Sequence, residues 1–360
     1  MKVAYLLGSL NRGGAENLIL DVFQNSEYAK FDFIGIHRRG GIYEGSFQKV
    51  SKTFIHCPIS RHKIVSYLHR LRKILLDNEI NIAHAQQPID AVLARIATLG
   101  TGIKVVLTVH GFDFNTAVFN RVLKYISLCS SDSVIFVSRY QYDYYRNNYH
   151  LRESNKYSVL YNGINFSKFI PQEKKQLTGR IRMGTVGSFR SGRDHFFICK
   201  FLNYLKDKGV DFDFSFIGSK IDTEAERYNH CVDYCNRHGL ENNVHFLGGC
   251  DNVPFLLSQL DAFIYCSEHD TFGIAVIEAI AAGIPVFVND WDVMSEITNN
   301  GKMATLYKTG DIGDLYEKFQ TLLNNYDMAI TQTGEKAILA REKYSISTHI
   351  ENLFEHYNKL

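Results

Sequence analysis

The chain has 360 residues, 45% of them apolar, 13% aromatic and 22% charged, which suits about two soluble domains and excludes disordered, fibrous and small disulfide-scaffold classes. A formal charge of +2 hides an asymmetry, with 20 Lys and Arg against 12 Asp and Glu in residues 1–165 and 20 against 26 in residues 166–360. A basic first half suits an anionic partner such as a phosphorylated lipid or a membrane surface, and equally an interface with an oppositely charged second half.

Short apolar runs alternate with segments of 3.6-residue period, as in a parallel sheet covered by helices. In chain order, strands are expected at 2–8, 31–37, 80–85, 103–109 and 132–137, and a fresh series at 181–187, 212–217, 243–248, 261–266 and 284–289. Two doubly wound α/β units follow from this order. Residues 165–180 (NFSKFIPQEKKQLTGR) are polar, contain a proline and keep neither period. The expected division is a first domain over 1–165, a linker over 166–180 and a second domain over 181–343. Beyond about residue 311 the pattern is helical, and a helix over 344–360 is expected to pack back toward the first domain.

Cys57, Cys129, Cys199, Cys231, Cys235, Cys250 and Cys266 form no C-x-x-C pair, and several lie in apolar runs, which suits free thiols in a reducing cytosol. The opening apolar run is too short for a secretory leader, and nowhere do 18 apolar residues run together. A cytoplasmic protein is expected.

The first strand runs into GSLNRGGAENLILDVF, where Gly13 and Gly14 precede a helical pattern. Glycines there allow close approach to the backbone, and the helix N-terminus offers unpaired N–H groups to a phosphate; tight packing explains the same turn. The spacing is neither G-x-G-x-x-G nor a P-loop, which disfavours a nicotinamide oxidoreductase and an NTPase.

Residues 266–290 (CSEHDTFGIAVIEAIAAGIPVFVND) are the most informative segment. A strand ends at Cys266, a helix begins near Gly273, and Asp270 and Glu278 fall on either side of its N-terminus, at the carboxyl edge where open α/β sheets bind ligands. A carboxylate there accepts hydrogen bonds from sugar or ribose hydroxyls, and the N–H groups of Phe272, Gly273 and Ile274 are available to a bound oxygen.

Residues 61–78 place Ile64, Leu68, Leu71 and Leu75 on one helical stripe, with Arg61, Lys63, Arg70, Arg72 and Lys73 largely off it. Such a helix can lie on an anionic membrane or pack on its own sheet with a charged outer face.

Asp270 and Glu278, with seven residues between them and followed by AIAAGIP (279–285), resemble the acid pair and A-x-A-x-G-x-P element of glycosyltransferase family 4, the retaining GT-B transferases of group 1. GGAE (13–16), TVHG (108–111), NGIN (162–165) and VGSFRSGRD (186–194) resemble, in order, that family's first loop, mid-domain histidine, hinge and diphosphate loop. The resemblance implies a GT-B fold, two Rossmann-like domains facing each other across a cleft. It implies that Glu278 binds the ribose hydroxyls and that Asp270, with the backbone at Phe272 and Gly273, holds the donor sugar. By the same resemblance Arg193 and the Gly14 N–H meet the diphosphate, and His110 sits beside the donor sugar. Outside it, a lone histidine ending a buried strand is more often structural, and Arg190 and Arg193 would be solvated loop charges.

Two positions depart from the family. Asp270 stands where Glu is usual, and Gly187-Ser188 stands where Gly-Arg is usual, with Arg190 as the substitute charge. The expected activity is transfer of a hexosyl unit from a nucleoside-diphosphate sugar, UDP favoured, to a hydroxyl of a glycan linked to a polyprenyl diphosphate, for bacterial capsule, O-antigen or exopolysaccharide. No cofactor, no metal and no nucleic-acid partner are expected, and Arg70, Arg72 and Lys73 are candidates for acceptor or membrane contact. The alternative is a two-domain sugar- or nucleotide-binding protein without turnover.

Overall fold

The computed structural model describes residues 1–114, 117–169, 177 and 179–360. The chain divides into two compact units, residues 1–163 with 346–360, and residues 164–345. Residues 170–176 and 178, within the segment expected as a linker, lie outside the described residues.

In the first unit the chain runs β1 (Lys2–Leu7), α1 (Gly14–Gln24), β2 (Asp32–His37), α2 (Glu44–Val50), β3 (Phe54–His56), α3 (Ile64–Asp77), β4 (Ile82–Ala85), α4 (Pro88–Ala97), β5 (Lys104–Val109), α5 (Val118–Ser130), β6 (Ser133–Phe136), α6 (Arg139–Asn148) and β7 (Tyr157–Val159). The strands form a parallel sheet in the order β3-β2-β1-β4-β5-β6-β7. Every residue from Val3 to Leu7, Ile82 to Ala85 and Val105 to Val109 is buried, as expected of central strands covered on both faces.

The second unit runs β8 (Ile181–Val186), α7 (His195–Asp207), β9 (Phe212–Ile217), α8 (Ala225–Arg237), β10 (Val244–Gly248), α9 (Val253–Ser258), β11 (Ala262–Tyr265), α10 (Ile274–Ala281), β12 (Val286–Asn289), α11 (Asp292–Ile297), β13 (Thr305–Tyr307), α12 (Ile312–Asn324) and α13 (Tyr326–Tyr344). Its sheet order is β10-β9-β8-β11-β12-β13. In both sheets the order reverses beside the unit's first strand, the position at whose carboxyl edge open α/β sheets bind ligands.

The ten strands expected from the sequence are present. The three beyond them, β3, β7 and β13, are three-residue strands at sheet edges, too short to display a period.

The last helix, α14 (Ile346–Tyr357), belongs to the first unit and buries Ile346, His349, Ile350, Leu353 and Tyr357 along one stripe. At its end the Tyr357 hydroxyl lies 2.6 Å from His84 Nδ1, while Thr108 Oγ1 lies 2.7 Å from His84 Nε2. Burial drives the His84 imidazole well below its usual range and lowers His349 to about 4, so both rings fold neutral. Tyr357→Phe is expected to cost about 1–3 kcal/mol in denaturant unfolding, because it strips a buried ring nitrogen of its partner. The same histidines set a pH dependence. The unfolded chain protonates them near pH 6.5 and the folded chain refuses those protons, so the melting temperature should fall as pH is lowered from about 6.5 toward 5.

All seven cysteines are free. Among the described residues no helix is long and apolar enough to cross a membrane, and no three His, Cys, Asp or Glu side chains are grouped to hold a metal ion.

Candidate functional site

In the second unit, the loop after β8 and the loop after β11 are tied together at the carboxyl edge of the sheet. Asp194 N–H donates to Cys266 O (3.1 Å), Glu268 N–H to Gly192 O (2.9 Å) and Ser267 Oγ to Gly192 O (2.9 Å). Asn289, wholly buried at the end of β12, clamps Ser267 from the other side. Its Oδ1 accepts from Ser267 N–H (2.9 Å), and its Nδ2 donates to Ser267 O (2.8 Å).

This double loop carries Arg190, Arg193 and Asp270. Arg193 donates from Nη1 to Val186 O (3.0 Å) and lies over the Tyr265 ring, 5.4 Å from its centroid. Gly187 makes room for it, since a Cβ there would come within 1.4 Å of that nitrogen. The Arg193 side chain is only 14% exposed, and its Nε has no hydrogen-bond partner.

Asp270 is buried, with Oδ1 at 3.8 Å from Arg193 Nη2 and 3.7 Å from Arg190 Nη2. The Tyr265 hydroxyl donates to its other oxygen, and its N–H donates to Ser267 Oγ (3.1 Å). Burial alone would raise the Asp270 carboxyl, but Arg193, Arg190 and the Tyr265 and Ser267 hydrogen bonds together hold it below the usual range. The carboxylate is therefore ionised, and two guanidinium groups are gathered beside it at distances too long to neutralise them by tight pairing.

Gly273 caps α10 in the left-handed region (φ 76°), with Met294 against the space a side chain would need. Along α10 only Ile274 and Glu278, one turn apart, escape full burial, so this helix has one open face and Glu278 stands on it. Burial works against the Arg193 charge, but Tyr265, Asp270 and then Glu278 outweigh it, so Glu278 lies within electrostatic reach of the guanidinium. Phe272 turns inward, edge-on to Tyr344 at 5.3 Å, which leaves its backbone rather than its ring at the site.

The first unit has its own recess at the carboxyl edge, a cavity of about 210 Å³ whose walls include Gly8, Ala15, Glu16, Gln86, His110 and Lys124. Gly14 is the first residue of α1, immediately before Ala15, so the helix start and His110 share this edge. His110 Nε2 lies 2.7 Å from Gln86 Oε1. Burial, with His349 and Lys124 nearby, lowers the His110 imidazole to about 3, and burial brings the Lys124 ammonium down to about 8.

Arg70, Arg72 and Lys73 lie on α3 and do not line this cavity. Arg70 Nη2 donates to Pro58 O (2.7 Å), and Arg72 Nη1 donates to Ala97 O and Leu99 O (both 2.8 Å). The expected apolar stripe of this helix needs a correction: Tyr67, Leu71 and Leu75 are buried, while Ile64 is exposed. The sheet is met one turn further along, and the amphipathic Tyr67 ring serves where an aliphatic side chain was expected.

Tyr265, Ser267, Asn289, Gln86 and Lys124 are site residues that the sequence reading missed. For Gln86 and Asn289 a signal exists, because each is a polar residue at the carboxyl end of an apolar parallel strand.

Comparison with known proteins bears on both units. The second matches the model of the group 1 glycosyl transferases over residues 167–337, and the first that of glycosyltransferase family 4 over residues 12–168. The chain is 22% identical over 343 residues to the UDP-Gal:α-D-GlcNAc-diphosphoundecaprenol α-1,3-galactosyltransferase of Escherichia coli, covering 87% of this chain and 85% of that protein. It is 24% identical over 282 residues to the N-acetyl-α-D-glucosaminyl L-malate synthase of Bacillus anthracis, covering 74% and 71%. The crystal structure of HepE from Anabaena in complex with UDP-glucose has the same fold, with a TM-score of 0.87 at 17% identity over all of both chains. Two parallel α/β units in this order, each matched to its own half of the family, make the chain a glycosyltransferase of group 1, family 4.

Proposed function

We propose that the enzyme transfers a hexosyl unit from a UDP-sugar, with retention of anomeric configuration and without a metal ion, to a hydroxyl of a polyprenyl-diphosphate-linked glycan during assembly of a bacterial surface polysaccharide. The observation that carries this reading is the convergence of Arg193 and Arg190 beside ionised Asp270, with Glu278 on the open face of α10. Two cations there, the seated Arg193 and the exposed Arg190, can balance charge growing on a departing diphosphate, the task a metal ion performs elsewhere. Glu278 accepts hydrogen bonds from the ribose hydroxyls, and Asp270 with the backbone at Phe272, Gly273 and Ile274 holds the donor sugar. The resemblance also assigns Gly14 and His110, at the first unit's own recess, to substrate binding. The Escherichia coli relative's diphosphoundecaprenol acceptor and the UDP-glucose complex of HepE support the acceptor and donor classes.

The test is release of nucleoside diphosphate from UDP-, GDP- and dTDP-sugars by the purified protein with EDTA present throughout. Slow hydrolysis of one UDP-sugar, indifferent to EDTA, is expected. Turnover of a GDP- or dTDP-sugar alone would overturn the choice of base, and loss of turnover in EDTA would overturn metal independence.

A lipid-linked acceptor brings the protein to a bilayer, and α5 suits that contact better than α3. Its outer face exposes Val118 (76%), Phe119 (73%), Val122, Tyr125 and Ile126, Arg121 is exposed among them, and residues 114–131 contain no acid. Apolar side chains bordered by basic ones match the interface of an anionic bilayer. Replacing Phe119 and Val122 together with Asp should reduce sedimentation with phosphatidylglycerol vesicles, whereas neutralising Arg70, Arg72 and Lys73 should reduce it less.

A further inference from the structure

We propose that Gln86 is a positioning residue for this transferase: its side-chain oxygen fixes His110 as the Nε2–H tautomer, and its amide N–H binds a pyranose hydroxyl in the cavity of the first unit. The proposal rests on the sugar-transfer reading above and adds a residue that the family's motifs do not contain.

Gln86 follows β4 directly, is 6% exposed, and faces His110 across the carboxyl ends of two neighbouring strands. An amide oxygen can only accept, so the 2.7 Å contact requires a hydrogen on His110 Nε2. Burial keeps the ring neutral, which places its lone pair on Nδ1. Gln86, at the end of β4, thereby favours this tautomer.

The other end of the same side chain is unpaired. Gln86 Nε2 is buried in a wall of the cavity and has no hydrogen-bond partner. Buried amide hydrogens are nearly always paired, so this one marks the place of an oxygen that the protein does not supply. The cavity, about 210 Å³, suits one sugar ring better than a nucleotide. Its polar walls mix the carboxylate of Glu16, the amide of Gln87 and the ammonium of Lys124, a set of donors and acceptors suited to a neutral polyol rather than to a phosphate. A hydroxyl accepting from Gln86 would lie next to His110, so one side chain orients both the imidazole and its substrate.

The shared chemistry is a pyranose hydroxyl, from either the donor sugar or the acceptor's terminal sugar, and kinetics separate the two. Gln86→Leu should slow transfer by about tenfold to a hundredfold, the effect of one lost buried hydrogen bond. If the hydroxyl is the donor's, hydrolysis of the UDP-sugar without acceptor should slow equally. If it is the acceptor's, hydrolysis should be unchanged and the acceptor KM should rise. Nitrogen-15 NMR of histidine-labelled protein at pH 7 reads the tautomer: the wild type should show His110 protonated at Nε2 alone, and Gln86→Leu should show a mixture. Gln86→Glu is the second variant. It keeps the acceptor and hence the tautomer, raises the imidazole's pKa in an NMR titration, and still loses the sugar contact.

A wild-type His110 protonated at Nδ1, or a Gln86→Leu protein with unaltered tautomer and unaltered rates, would overturn the proposal. If the wild type turned over no UDP-sugar, the functional reading would fail while the NMR arm still decided the Gln86–His110 pairing.

Discussion

Arg193→Met is expected to lower kcat by about 10²–10³-fold, the loss seen when one preorganised donor is removed from a developing charge. The reason is the way Arg193 is held. Gly187 gives its guanidinium a seat against the backbone, Val186 O fixes one nitrogen, and the Tyr265 ring lies beneath it, so the charge is in place before substrate arrives. Methionine keeps the length and apolar contact but not the charge. Because negative charge on the diphosphate increases toward the transition state, kcat should fall more than the donor KM rises. Arg193→Lys should recover part of the rate, since a point charge replaces a planar fork that matches two phosphate oxygens.

The variant also alters Asp270. With Arg193 gone, burial is opposed only by the exposed Arg190 and the Tyr265 and Ser267 hydrogen bonds, so the carboxyl's pKa moves up. The acid side of the pH–rate profile should shift to higher pH in Arg193→Met. A full pH profile of UDP release from the donor, run beside a thermal melt to confirm folding, checks both effects. A normal kcat would remove Arg193 from the chemistry.

Glu278→Ala should weaken UDP binding about a hundredfold while leaving kcat at saturating donor within a few-fold of normal. Two hydroxyls donating to one carboxylate are worth about 1.5 kcal/mol or more each, or about 3 kcal/mol together. Such contacts are made equally in ground and transition states, so their loss falls on the dissociation constant and KM. The fold should tolerate the change, because position 278 is on the open face of α10 and alanine is a good helix former. Titration calorimetry with UDP and with 2′-deoxy-UDP gives the check. The wild type should discriminate between the two and Glu278→Ala should not. Equal UDP affinity in wild type and variant would dismiss Glu278 from the nucleotide site.

Much of the architecture is legible in the chain. Parallel strands buried on both faces read as continuous apolar runs, so ten of them stand out, and Gly13, His110 and Asp270 fall in the segments that follow such strands, with Glu278 in the helix after one of them. The edge strands β3, β7 and β13 do not stand out, because three residues paired on one side leave no pattern. On α3 the spacing put Ile64, Leu68, Leu71 and Leu75 on one stripe, and Tyr67 is buried while Ile64 is exposed because the inner residue depends on how far along the helix the sheet is met.

The sequence by itself determined two parallel α/β units and the residue types at their carboxyl edges, because periodicity and strand-end chemistry are local properties. Only tertiary structure decided which of those residues act together. Asn289 reaches Ser267 and Gln86 reaches His110 because a parallel crossover through a helix sets strand ends 22 and 24 residues apart side by side on one sheet edge. Tyr265 reaches Asp270 because the loop after β11 turns back over its own strand end. The same holds for charge: the ionised state of Asp270 and the neutral state of His110 are set by burial and by groups distant in sequence, and both appear only once the sheets have formed.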